Sequence, residues 1–193
     1  MGLIRLKPGR EKPVRNRHPW IFSGAIAAIQ GNPKPGDIVD LKSSGGDFLA
    51  RGYYNPRSQI AVRILTWKED EAIDASFWRR RLQSAIARRQ DSVHASTSTA
   101  CRLVHAEADG LPGLIVDQYD DWLVLQSLTL GIERWKPLLV DLLEELLSPK
   151  GIYERSDAEV RKHEGLDPIT GTAEGETPDE KVMIEENGLH FYV

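Results

Sequence analysis

Three groups of residues have the types and spacing for chemistry. The first is His105, Glu107 and Asp109. On an extended chain His105 and Glu107 share one strand face, and with a second acid at the turn they offer the residue types of a metal ligand set or an acid–base pair. No other element supplies a matching third group, and Asp109-Gly110 is more simply read as a turn. The second is Cys101, the only cysteine. A nucleophilic thiol needs a neighbouring base and a lowered pKa, and the surrounding sequence offers neither. Cys101 therefore reads as a small residue on a strand. The third is Lys7 to Ala25, KPGREKPVRNRHPWIFSGA. It sets Lys7, Arg10, Lys12, Arg15 and Arg17 within eleven residues, opposed only by Glu11. His18-Pro19 and the apolar run Trp20-Ile21-Phe22 follow. Cations beside aromatic rings suit phosphate contacts and base stacking. The plainer alternative is a solvated charged terminus.

Charge distribution favours the third group. The 193 residues carry a formal net charge of −4, which excludes a globally basic nucleic-acid binder. Residues 1–20 hold six Lys/Arg and one acid, a net of +5, whereas residues 141–193 hold fourteen acids and five Lys/Arg, a net of −9. Phosphate responds to local potential, so an acidic total leaves room for a basic face. Neither GxGxxG nor GxxxxGK[ST] occurs, nor CxxC or HExxH, so phosphate-cradling loops and thiolate zinc sites have no support. A lone cysteine excludes an internal disulfide and fits a reducing cytoplasm. No apolar run approaches the roughly 20 residues that span a bilayer. The N-terminus lacks a signal-peptide core, and Leu6 stands where a myristoylation signal needs Ser or Thr.

The length fits one large or two small domains. Leu3–Leu6 alternates weakly as a short strand, and Pro8-Gly9 and Pro13 argue against helix in the basic loop. Pro19 opens a helical turn that places Trp20, Phe22 and Ile26 in the core. Ile38–Leu41, Phe48–Tyr54 and Ile60–Leu65 read as strands, separated by the turn-forming Ser43–Asp47 and Asn55–Ser58. This predicts a small β-barrel over residues 1–70, with a polar linker at Lys68–Glu71. In residues 71–193, a helix is expected over Phe77–Gln90 with the stripe Trp78, Leu82, Ala85 and Ile86. Its Arg79–Arg81 and Arg88-Arg89 are either a solvated face or an extension of a nucleic-acid surface. Asp91–Thr99 reads as a loop or frayed helix end. A strand follows at Cys101–Ala106, then a hairpin from Leu114–Asp117 to Trp122–Leu128.

A long amphipathic helix runs from about Ile132 to Leu147, with Trp135, Leu138, Leu139, Leu142 and Leu146 as its stripe and Pro137 near its first turn. Gly151–Arg155 is a strand. Ser156 and Glu159 have capping-box spacing ahead of a short helix ending near His163. Gly165–Glu180 reads as a mobile surface loop. Asn187-Gly188 joins Lys181–Glu186 to Leu189–Val193 as a hairpin. A strand ending at Val193 predicts that the polypeptide is cut from something longer. The expected class is mixed α/β, of the α+β kind: a barrel, then a domain with an antiparallel or mixed sheet and one long helix.

The segments KPGREKPVRNRHPWIFSGAI, PGDIVDL and FLARGYYNPRSQIAVRIL resemble the PUA domain that opens a family of bacterial class I SAM-dependent ribosomal-RNA (cytosine-5) methyltransferases. EADGLPGLIVDQY, GIYERSD and EENGLHFYV resemble the middle α+β domain of that family, so the likeness covers nearly the whole chain. It implies a PUA-like domain over 1–70 and a middle domain over 71–193, ending where the SAM-binding domain would begin. It implies RNA contact for Lys7, Arg10, Arg15, Arg17 and His18. Trp20 takes a core or platform role, and Gly52, Asn55 and Pro56 are structural. The intact family enzyme transfers a methyl group from S-adenosylmethionine to carbon 5 of a cytosine through a cysteine thiolate in its third domain. Cys101 matches no catalytic motif of the family. No cofactor, metal or catalytic residue is therefore expected within these residues, and the chain is expected to be inactive alone.

The expected partner is RNA, ribosomal by the resemblance, in the cytoplasm, with no membrane. A homodimer is an open alternative, because a bare strand edge can pair with a second copy. Rival functions are a stand-alone RNA-binding PUA module without catalysis, and a protein-interaction domain working through the acidic C-terminal third. A hydrolase built on His105 and Asp109 ranks last.

Overall fold

The computed structural model describes residues 2–94, 98–178 and 181–193, the side chains of 90–94 excepted. Period-two alternation in the first third forms strands, as a pleated backbone with one buried face requires. They are β1 (Gly2–Leu6), β2 (Trp20–Phe22), β3 (Ile26–Gln30), β4 (Ile38–Lys42), β5 (Phe48–Tyr54) and β6 (Ile60–Thr66). They make one six-stranded sheet in the order β2-β6-β5-β4-β1-β3. Its pairs are antiparallel except β1 with β4.

The edge strands β2 and β3 are separated in sequence only by Ser23–Ala25, a single 3-10 turn. Laid flat, six strands would place those edges about 24 Å apart. Four residue steps reach about 14 Å. The sheet must therefore curl until its two edges approach at that end, which gives a half-open barrel. Ile4, Leu6, Ile21, Val39, Leu41 and Val62 fill it.

Two local expectations change here. Lys12–Arg15 forms a short helix, α1, despite Pro13. Proline is tolerated because the first helical N–H groups have no intrahelical acceptor. Trp20–Phe22 is a strand rather than a helical turn, with Ile21 buried and its neighbours on the opposite face. Phe22, expected in the core, is 49% exposed. Period two permits only one inward residue in a three-residue strand.

The rest of the chain comprises α2 (Ala75–His94), β7 (Ala100–His105), β8 (Leu114–Tyr119), β9 (Trp122–Ser127), α3 (Leu130–Leu147), β10 (Gly151–Ser156), α4 (Val160–Glu164), β11 (Ile169–Gly175), β12 (Met183–Glu186) and β13 (Leu189–Tyr192). The second sheet has the order β11-β10-β9-β8-β7. It is mixed: β9 and β10 are parallel across α3, and the other pairs are antiparallel.

Both expected helices form, and the one placed at Phe77–Gln90 is also long: α2 has 20 residues and α3 has 18. They meet through Trp78 and Trp135, whose ring centroids lie 5.5 Å apart. Phe77, Leu82 and Ala85 of α2 join Leu139 and Leu143 of α3 over Val116, Leu125 and Ile152 of the sheet. Helix α2 continues through residues 91–94, where a loop or frayed end was expected; 95–97 of that stretch lie outside the described residues. Helix α3 starts two residues before Ile132, so Pro137 falls at its eighth position rather than in the first turn.

The expected mobile loop after Gly165 contains strand β11, paired antiparallel to β10; residues 179–180 of that stretch lie outside the described residues. Ile169, Thr170 and Thr172 have strand propensity that the glycine-rich composition masked. The capping box at Ser156 does not form. Ser156 ends β10, where its hydroxyl accepts the Ser127 N–H at 2.8 Å. The Asn187-Gly188 hairpin does form, with both turn residues in the left-handed region at φ 53° and 77°, as a type I′ turn requires. Among the described residues, no helix is long and apolar enough to cross a membrane.

Candidate nucleic-acid interface

The basic stretch lies on the surface of the curled sheet between β1 and β2. The Lys7 backbone N–H donates to the Ala25 carbonyl at 2.9 Å. Its Nζ donates to the Gly24 carbonyl, also at 2.9 Å. These bonds tie the start of the loop to the turn that joins the sheet edges. Lys7, Arg10, Lys12, Arg15, Arg17 and His18 are all exposed.

Glu11, the one acid of the stretch, reaches away. It accepts from the Ser44 N–H at 3.1 Å and the Ser44 hydroxyl at 2.9 Å. The Ser44 backbone bond, then the loop's own N–H and the hydroxyl, hold its carboxyl below the usual range. Arg15 touches Asp47 only at 4.0 Å, with both side chains well exposed. Among the described residues no acid lies within ion-pair distance of Lys7, Arg10, Lys12 or Arg17, so their charge faces solvent uncompensated.

The next residues are held more tightly. Arg17 adopts φ 64°, a left-handed conformation that non-glycine residues rarely take. It ends α1 and places its guanidinium 5.2 Å from the Trp67 ring centroid. Trp67 in turn donates to the Val14 carbonyl at 2.9 Å. His18 Nδ1 accepts the Trp20 N–H at 3.2 Å, so in the neutral ring the proton sits on Nε2. Arg10, Pro13, His18, Trp20, Phe22 and Gly24 are among the residues around an open depression of about 370 Å³. Its lining is largely apolar, with Arg10 as its cation.

Trp20 does not serve as a free platform. It is half-buried, and its Nε1 donates to Glu107 Oε1 at 2.7 Å. Arg63 lies 5.7 Å from its ring centroid and donates to the same Glu107 oxygen at 3.0 Å. Arg63 also donates to Glu164 at 3.1 Å. Asn55 Nδ2 donates to the Glu164 carboxylate at 2.8 Å and to its carbonyl at 3.0 Å. The Tyr53 hydroxyl is 2.8 Å from both the Pro112 carbonyl and the Thr129 hydroxyl. Burial penalises the Arg63 cation, but the facing Glu164 and Glu107 carboxylates outweigh that and hold its pKa up. Burial also raises the Tyr53 phenol. This network joins the curled sheet to the second sheet's loops and fixes the basic face against α4.

The sequence singled out Asn55 and Glu107 for other reasons and missed Arg63, Tyr53 and Glu164. Arg63, the one charged residue inside the otherwise apolar run of β6, was the available signal.

The other chemical candidates are structural. Asp109 accepts from Arg88 at 2.8 Å, Arg89 at 2.7 Å and the His105 N–H at 2.6 Å. Those donors outweigh the burial that opposes ionisation and hold its carboxyl below the usual range. Glu107 points into the network with Trp20, so His105, Glu107 and Asp109 do not converge. Among the described residues no group of three potential ligands could hold a metal ion. Burial raises the Cys101 thiol, which makes it a poor nucleophile.

These features define a curled half-barrel sheet joined through a buried polar seam to a second, mixed sheet with its helices. Residues 4–67 match the family described as PUA-like domain. The chain is similar over 191 residues, at 47% identity, to the ribosomal RNA large subunit methyltransferase I of Shewanella denitrificans, covering 98% of this chain and 48% of that protein. The protein of the same name from Aliivibrio fischeri is 46% identical over 190 residues, with the same coverage. The chain thus spans about half the length of the curated relatives it matches. A solved structure from Streptococcus mutans, described as a SAM-dependent methyltransferase, superposes with a TM-score of 0.82 at 18% identity. It covers 100% of this chain and 48% of that one. At that identity the likeness establishes the fold.

Proposed function

We propose that these residues recognise ribosomal RNA and position it for a SAM-dependent cytosine-5 methyl transfer on the large-subunit RNA, in the cytoplasm. In this reading residues 1–70 are the RNA-binding domain and 71–193 the domain that aligns it. The methyl-transfer chemistry belongs to sequence matching the other half of the relatives. Lys7, Arg10, Arg15 and Arg17 contact phosphates, His18 lines the depression beside them, and Trp20 anchors its floor. The observation that carries the reading is the uncompensated charge of this loop in a chain of net charge −4, with its only acid turned toward Ser44.

Among the described residues the one parallel strand–helix–strand unit, β9-α3-β10, is where an open α/β sheet would take a nucleotide, and its mouth does not fit S-adenosylmethionine. Protein fills its mouth: a Cβ built on Gly131 would fall 2.2 Å from the Tyr53 ring, and Glu164 accepts the Leu130 N–H at 3.4 Å. No catalytic step is assigned to these residues.

Two measurements test the proposal. The chain should retard a 23S rRNA transcript in a gel shift, with affinity falling steeply as salt rises. S-adenosylmethionine should leave its melting temperature unchanged, since a ligand must bind the native state to raise it. Salt-independent binding, or a clear rise with S-adenosylmethionine, would overturn it.

A further inference from the structure

Phe22 stands between two hollows. On one side is the depression shared with Arg10 and His18. On the other is a cleft of about 600 Å³, whose walls include Arg57, Gln59 and Arg63 from the curled sheet and Lys162, His163 and Glu164 from α4. Phe22 lines both, and it is 49% exposed. A large aromatic at that exposure is unexplained by the core.

The cleft is cationic. The Arg57 side chain lies over Gly165: a Cβ built there would meet its Cδ and Nη1 at 2.8 Å each. Among the described residues Arg57 has no acid within ion-pair distance, and Lys162 has only Glu159 at 4.0 Å. Glu164, the acid within the cleft, is buried and spent on Arg63 and Asn55. Arg63 is fixed in turn by Glu107 and Glu164, and its buried Nε–H has no partner among the described residues.

An exposed aromatic beside unpaired cations is the arrangement that binds unstacked bases while holding the backbone. The cleft volume lies within the range of small-ligand sites. A duplex hides its base faces and would leave Phe22 unused.

We propose that this cleft is a second RNA subsite, in which Arg57 and Lys162 hold phosphates of a single strand and Phe22 stacks on a base that passes from the basic loop toward α4. The inference rests on the RNA-binding reading above and adds a path across both halves of the chain.

The test uses the 193-residue chain and a fluorescein-labelled single-stranded RNA of about twelve nucleotides, a length within the usual single-strand site sizes. Anisotropy is read across a salt series. The double variant Arg57→Ala/Lys162→Ala should bind about tenfold more weakly. Its salt slope should fall by about 1.4, roughly 0.7 for each lost phosphate contact. Phe22→Ala should also lose about tenfold, and Phe22→Tyr should restore binding because it keeps the ring. All three side chains are exposed, so melting temperatures should stay at the parent value.

The basic-loop variants of Lys7, Arg10, Arg15 and Arg17 separate the two readings. If they weaken binding while the Arg57/Lys162 variant keeps the parental affinity and slope, the cleft inference falls and the RNA reading stands. If neither set changes binding, both fall. An unlabelled duplex that competes as well as the single strand would overturn the stacking role.

Discussion

The stretch Lys7–Arg17 and helix α2 each carry five Lys or Arg residues, and the fold uses them in opposite ways. On α2, Arg79 makes two bonds to Glu145, at 2.7 and 2.5 Å. Arg80 reaches Glu71 at 3.2 Å, and Arg81 lies 3.9 Å from the same carboxylate. Arg88 and Arg89 converge on Asp109. Each helix cation is matched within its own fold. Among the described residues the loop cations have a single acid within ion-pair distance, Asp47 at 4.0 Å from Arg15. A count of basic residues cannot separate these regions, whereas the position of their counter-charges can. The matched set holds α2 to its neighbours, and the unmatched set faces solvent.

The largest effect should come from emptying the unmatched set. Lys7, Arg10, Arg15 and Arg17 changed together to Ala should lower single-stranded RNA affinity by about 10²–10³-fold near 0.1 M salt, roughly 3–4 kcal/mol. The melting temperature should move little, because exposed side chains carry little of the stability. An affinity loss matched by a collapse in melting temperature would indicate a structural role instead.

Removing a matched counter-charge should do the reverse. Asp109→Ala leaves two guanidinium groups and the His105 N–H without their acceptor at a side chain only 2% exposed. Urea unfolding should show a loss of about 3 kcal/mol, with RNA affinity per folded molecule unchanged.

The same carboxylate sharpens the comparison through pH. Its folded pKa is lowered, with the Arg89 side-chain bond as the leading favourable contribution against burial. Its stabilisation is therefore fully present above the unfolded value of about 3.9 and is lost as pH falls through the lower folded value. Asp109→Asn should flatten the acid limb of the stability profile below about pH 4. An unaltered limb would mean that the Arg88–Arg89 clamp contributes nothing at neutral pH.

The smallest effect belongs to an exposed matched pair. Arg79→Ala should leave the urea midpoint at the parent value, because solvent screens an exposed pair, with no change in RNA binding. A loss of RNA affinity there would break the contrast between helix and loop.

Local patterning revealed much of this architecture. Alternation located β4, β5 and β6, the apolar stripe located α3, and Asn187-Gly188 located the last hairpin. These signals are written within a few residues. What stayed hidden depends on contacts distant in sequence. Trp20 and Glu107 are 87 residues apart, and Asn55 and Glu164 are 109 apart. No local period encodes such pairs. Phe22 was misplaced because three residues are too few to show which face of a strand is buried. Strand β11 was masked because an edge strand needs only one partner and tolerates glycine. The cations of the candidate site were legible by type. Their lack of counter-charges became visible only once Glu11 was seen bonded to Ser44.

The most direct test of the central claim is the salt dependence of single-stranded RNA binding, compared between the Lys7/Arg10/Arg15/Arg17→Ala variant and Arg79→Ala/Arg80→Ala. The account predicts that the loop variant lowers the slope of log affinity against log salt by about 2.8, roughly 0.7 per lost phosphate contact, and that the helix variant keeps the parental slope. A helix variant that loses slope while the loop variant keeps it would contradict the account.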